Sequence, residues 1–153
     1  MSAHYGDVVV SVENNADIWY NGKEASMIIT GNSMAPFLYH GRDVIYFSKP
    51  KAPPKRGDMV FFNRPNGQYV MHRLIKKKGE DCYFLGDNQT DIEGPLPEKS
   101  IFAVVTRVKR KGRKIGPNNF IWFFFKHIWI NIIPLRHPVM AIYSRLHAKS
   151  SGT

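Results

Sequence analysis

A small, mostly β domain, a coiled sheet or partial barrel with an aromatic, helical C-terminal tail, is the fold class this 153-residue sequence predicts. Three observations predict it. Short runs of β-branched and aromatic residues recur at close spacing between Gly, Pro and Asn turn signals. Two of these runs are joined by Arg64-Pro65-Asn66-Gly67, a hairpin connection. After Gly116-Pro117 the character changes to an almost unbroken aromatic stretch. A boundary between residues 1–115 and 116–153 follows, and no internal repeat is present.

In chain order, residues 1–30 are a lead-in whose Ile18–Lys23 segment contains the turn signal Asn21-Gly22. Ala25–Thr30 reads as a short strand into Gly31, and Asp43–Phe47 as a second. Ser48–Lys55 holds three prolines and three lysines and reads as an exposed loop. Met59–Asn63 and Tyr69–Ile75 form the hairpin, Lys76–Asp81 a charged turn, and Cys82–Leu85 a further strand. Gly86–Pro97, rich in Gly, Asp, Asn and Pro, reads as a loop. Ile101–Val108 reads as a buried strand and Lys109–Lys114 as a basic turn.

The tail run Phe120–Ile133 is FIWFFFKHIWINII, 14 residues long. At about 1.5 Å rise per residue it is too short to cross the roughly 30 Å of bilayer hydrocarbon as a straight helix. Two readings remain: a helix packed on the β domain, or an interfacial helix or shallow hairpin anchored by Trp122 and Trp129 beside basic residues. Pro134 and Pro138 are expected to break it, with a second short helix over Val139–His147.

Charge separates the two regions. Residues 1–98 hold 11 Lys/Arg and 12 Asp/Glu, whereas residues 99–153 hold 11 Lys/Arg and no acid. The net charge of +10 therefore belongs to the aromatic end. Basic residues interleaved with Trp, Phe and Ile favour an anionic membrane surface through residues 107–147, over a solvated basic face and over nucleic acid. The first twelve residues carry Asp7 and only Val8–Val10 as an apolar run, so no secretory signal is expected there. No run reaches 18 uncharged apolar residues, and no N-terminal anchor is expected. The single cysteine, Cys82, excludes an internal disulfide. No Cys/His spacing suggests zinc, and neither metal nor cofactor is expected.

Four blocks carry chemistry. Gly31-Asn32-Ser33-Met34-Ala35-Pro36 presents a serine on a tight turn that follows a strand, and the proline directs the chain away from it. Lys55-Arg56-Gly57-Asp58 opens the strand Met59–Phe62. In Tyr69–Ile75, alternation puts His72 on the same face as Val70 and Leu74. A serine hydroxyl needs a neighbouring base near neutral pH, and histidine, with an ordinary pKa of about 6.5, suits that role. The fourth block is Gly86-Asp87-Asn88, with Asp91 four residues after Asp87. Either carboxylate could orient the imidazole and stabilise its protonated form.

In this order, over roughly Ile28 to Arg113, the blocks resemble the signal peptidase I family and its relatives, which include self-cleaving repressors. The bacterial enzymes of that family carry a lysine base where His72 stands. Met71-His72-Arg73 is similar to the Ser-His type of the endoplasmic reticulum and archaea. The resemblance implies a serine endopeptidase cleaving signal or leader peptides beside small residues, with Ser33 as nucleophile and His72 as general base. It implies Gly31, Asn32, Met34 and Pro36 around the oxyanion and substrate. Lys76–Lys78 lie in the charged turn, where they stay solvated and protonated, and are rejected as bases.

The chain departs from the family pattern in three ways. Gly31 stands where a hydroxyl residue usually helps bind the oxyanion, which leaves that work to backbone N–H groups such as that of Ser33, or to Asn32. The acidic loop is shortened, leaving the choice between Asp87 and Asp91 open. The N-terminal anchor usual in the family is not expected here. The alternatives are a dedicated leader-processing peptidase, an autoproteolytic regulator, and a non-catalytic binding module on the same fold. From the short, turn-rich stretch before Ser33, the regulator's DNA-binding helices are not expected.

Overall fold

The computed structural model describes residues 24–150. The lead-in before Glu24, the Asn21-Gly22 turn and the reading of the N-terminus lie outside the described residues. Eight strands run in order: β1 Ala25–Ile28, β2 Val44–Ser48, β3 Met59–Asn63, β4 Tyr69–Lys78, β5 Asp81–Leu85, β6 Glu93–Pro97, β7 Ile101–Arg110 and β8 Arg113–Ile115. All pair antiparallel in one open sheet of order β1-β2-β7-β3-β4-β5-β6, with β8 paired to β7. The protein is mostly β, in the class that the turn and strand pattern predicts.

The sheet is coiled because its ladders slip. Register shifts fall at Tyr46/Phe47, Phe61/Phe62, Leu74/Lys76 and Cys82/Phe84. Each inserts extra backbone on one strand, which bends it and increases the local twist. As a result Leu96 of β6 and Val104 of β7, with three strands between them, pack on the same apolar cluster of Val60, Phe62, Val70, Leu74, Cys82 and Phe84. The opposite face carries Met59, Phe61 and Met71, packed with Met34, Phe37, Leu38, Trp122, Phe125 and Trp129. With both faces covered, β3 and β4 read as continuous apolar runs rather than clean alternation.

Two strands occupy segments expected to be loops, and β4 runs on through Lys76–Lys78, so that only Gly79 and Glu80 remain of the expected charged turn. β6, Glu-Gly-Pro-Leu-Pro, lies at the sheet edge, where the missing N–H groups of proline cost no ladder bond. β8 lies inside the expected basic turn. Lys111 and Gly112, at φ +50° and +78°, make the tight reversal that pairs Lys109 with Lys114.

The tail also departs from a single 14-residue helix. It is a short α turn, α1 (Phe120–Phe123), capped by the Asn119 side chain, then a π turn over Phe124–Ile128 and two 3₁₀ turns ending at Leu135. These turns bury Trp122, Phe125, Trp129 and Ile130 against the domain and leave Phe120, Phe123 and Ile128 exposed. The second helix, α2 (Arg136–Ser150), begins before Pro138, which does not break it. Pro138 sits in the first turn, where a helix N–H has no partner to lose. Among the described residues no helix is long and apolar enough to cross a membrane.

Candidate active site around Ser33 and His72

β1 leads through Ile29, whose N–H donates to the Asp43 carbonyl at 2.8 Å, into the turn that carries Ser33. Gly31 enters it at φ +81°, in left-handed territory that suits glycine, and its N–H donates to His40 Nδ1 at 2.9 Å. Ala35 N–H donates to the Asn32 carbonyl (3.1 Å) and Leu38 N–H to that of Met34 (2.9 Å). Met34, Phe37 and Leu38 are buried and pin the turn to the core, while Asn32 stays exposed. From β7, the Arg110 guanidinium donates to the carbonyls of Phe37 (2.7 Å) and Pro36 (3.2 Å).

Asp43 closes the far end, accepting from the N–H groups of Tyr39 (2.8 Å) and Lys111 (3.0 Å) and from Arg42. Burial by itself would raise the Asp43 carboxyl. The Arg42 guanidinium and the two N–H groups outweigh that and hold it below the usual carboxylate range.

Ser33 is buried, and its Oγ has no hydrogen-bond partner among the described residues. An unpaired buried hydroxyl costs about 1–3 kcal/mol, so its retention calls for a reason beyond packing. His72 sits in the middle of β4, opposite Val60 of β3, with its ring 6.0 Å from the ring of Phe62. On the other side, β4 pairs Arg73 with Leu85 and Leu74 with Phe84. β5 ends at Leu85, opposite Arg73, and Gly86 follows it.

A Cβ placed on Gly86 would meet the Ser33 carbonyl oxygen at 2.6 Å. The main chain of Ser33 therefore packs directly on Gly86, where a side chain would collide with it. Asn88 completes the junction: its N–H donates to the Ser33 carbonyl at 2.8 Å and its Nδ2 to the Asn32 carbonyl at 3.4 Å.

The two acids take different places. Asp87 is fully buried, and both of its oxygens accept from Arg73, at 2.8 and 3.1 Å from Nε and Nη2. Arg73 alternates with His72 along β4 and so faces the other side of the sheet, where it also donates to the Gly57 carbonyl (2.9 Å) and lies 5.3 Å from the Phe37 ring centroid. Asp91 is exposed on the loop before β6. Gly31, Asn32, Ser33, Met34 and Pro36 thus share one turn, which meets the Gly86–Gln89 loop.

Sequence reasoning gave Arg73, Arg136 and Lys126 no role at the site and read Trp129 only as an interfacial anchor. An arginine inside an apolar strand was itself a signal, because a buried charge needs a partner and Gly86-Asp87-Asn88 supplied one. The block Arg56-Gly57-Asp58 anchors the tail. Arg56 donates to Asn131 Oδ1 at 2.6 Å, and Lys126 donates to Asp58 Oδ1 at 2.7 Å. A Cβ on Gly57, at φ +93°, would lie 2.6 Å from both Cγ and the carbonyl oxygen of Lys126. Among the described residues no group of His, Cys, Asp and Glu could hold a metal ion. No protein-family model, no curated protein and no solved structure matches this chain, so no family is assigned on those grounds.

Proposed function

We propose that this chain is a serine endopeptidase similar to signal peptidase I, cleaving signal or leader peptides with Ser33 as nucleophile and His72 as general base. One observation carries the reading: a buried Ser33 hydroxyl without a partner among the described residues, in a turn packed on Gly86, the residue that follows the strand paired with that of the buried His72. The Ser33 Oγ attacks the scissile carbonyl carbon, and its proton passes to the imidazole. Collapse of the tetrahedral intermediate breaks the C–N bond, and the leaving amine takes that proton. Water, deprotonated by the same imidazole, then hydrolyses the acyl-serine ester.

Backbone N–H groups of the turn serve the oxyanion, since Gly31 offers no hydroxyl. β1 is an edge strand running into the Ser33 turn, so an extended peptide added to it as a further strand would pass the hydroxyl. Because Ser33 is covered, productive binding requires the covering groups to move aside. In this reading Asp87 contributes through Arg73, by fixing the loop that meets the turn. The protein works at an anionic membrane surface. Leu135, Val139, Ile142 and Leu146 are exposed at helical spacing on a chain third that has no acid.

The test is cleavage of a peptide pool by wild type beside Ser33→Ala and His72→Ala, with lipid present. Wild type should cleave next to small residues, and each substitution should abolish it. Activity that survives both would sink the mechanism. A folded but inert wild type would favour a binding module on this fold.

A further inference from the structure

We propose that Arg136, the first residue of α2, is a positioning residue for Ser33, acting through the Gly86–Gln89 loop; the inference rests on Ser33 being the nucleophile. The tail holds three of that loop's four carbonyls. Arg136 Nη1 donates to Gly86 O and to Gln89 O, each at 2.8 Å, and Trp129 Nε1 donates to Asp87 O at 2.8 Å. Arg136 is tied back to the same indole: Nη2 donates to the Trp129 carbonyl at 3.3 Å, with the guanidinium carbon 5.6 Å from the ring centroid. The fourth loop residue, Asn88, holds the carbonyls of Ser33 and Asn32. A continuous chain of hydrogen bonds thus runs from α2, through the loop, to the turn that bears Ser33.

Stability alone does not account for this arginine. It is 2% exposed, its Nε has no partner among the described residues, and its contacts are neutral carbonyls. Burial pushes its guanidinium below the usual arginine range, and Arg73 adds to that push, while Asp87 opposes it. A well-packed apolar side chain would avoid this desolvation cost. What an apolar residue cannot do is clamp Gly86 and Gln89 with one nitrogen. Gly86 lies close enough to Ser33 that a Cβ there would meet its carbonyl, so slack in the loop becomes slack in the nucleophile. Misplacement of a reacting group by about 1 Å costs on the order of 100-fold in rate.

The experiment compares the full chain with Arg136→Met, which keeps an apolar stem, and Arg136→Lys, which keeps the charge without the fork. Two readouts are taken: steady-state cleavage and amide hydrogen exchange. The expected result for Arg136→Met is a fall in kcat of roughly 10- to 100-fold at near-constant KM, with partial return when guanidinium ion is added. Asn88 N–H should exchange faster while Met71 and Phe61, in the central strands, keep their protection. Unchanged Asn88 exchange would overturn the inference whatever the chain cleaves. So would a variant whose loss of activity follows only the loss of folded protein. If wild type itself cleaves nothing, the nucleophile assignment fails, and exchange at Asn88 still decides whether α2 holds the Ser33 turn.

Discussion

Arg73→Met is the most informative single change, because it opens the buried ion pair beside the Ser33 turn. Arg73 and Asp87 have side chains 2% and 0% exposed and share two hydrogen bonds, at 2.8 and 3.1 Å. Removing the guanidinium strands a carboxylate in the core and deprives the Gly57 carbonyl of its donor. Breaking one partner of such a pair costs about 3–5 kcal/mol, a large share of the roughly 5–15 kcal/mol that holds a domain folded. Replacing both partners with apolar residues removes the stranded charge.

Arg73→Met/Asp87→Leu should therefore be at least about 3 kcal/mol more stable than the sum of the two single changes predicts. Urea unfolding of the four proteins measures this through the midpoint, provided the slope is unchanged. Asp87→Asn, which keeps the shape, serves if a single variant fails to fold. A loss below about 1 kcal/mol in Arg73→Met, or simple additivity in the cycle, would refute the claim that this pair is buried and mutually dependent.

Two further outcomes are expected. Wild type should float with phosphatidylserine vesicles, and Ile142→Asn/Leu146→Asn should weaken binding about 10-fold or more, since each side chain's burial is worth roughly 1.5–3 kcal/mol; binding that the change leaves intact and salt abolishes would mean a solvated basic face. Tyr39 is pushed up to about 12 by burial, with Tyr143 adding to the effect. Its folded value thus lies above the unfolded value of about 10, so its stabilisation is complete below that pH and is lost as pH rises toward the folded value. An absorbance titration at high pH should show one late tyrosinate that moves earlier in Tyr143→Phe. Uniform ionisation near pH 10 in the folded protein would contradict this.

Local chemistry made the strands around the site legible. Asn66-Gly67, with Gly67 at φ +86°, closes the β3–β4 hairpin with the Gly67 N–H on the Arg64 carbonyl at 2.9 Å. A turn residue with its own φ demand announces itself wherever the rest of the chain lies. β6 and β8 did not, because proline at an edge and basic residues in a hairpin are tolerated only through the position their neighbours assign. The tail misled for the reverse reason. Its aromatic density looked like one helix, yet the side chains had to fit over Phe37 and under the Gly86–Gln89 loop, and the backbone broke into short turns to seat them.

The sequence by itself determined the mostly β class, the turn that carries Ser33, the strand that carries His72, and the separation of charge toward the C-terminus. All of these follow from residue preferences and periodicities within a few positions of chain. Only the tertiary structure decided that Asp87 answers Arg73 on the face of β4 away from His72, and that Arg136 and Trp129 hold the loop beneath Ser33. Those pairings join residues 14 to 50 positions apart. A buried polar group declares in sequence that it needs a partner; which partner it finds depends on the register of the sheet and the path of the tail.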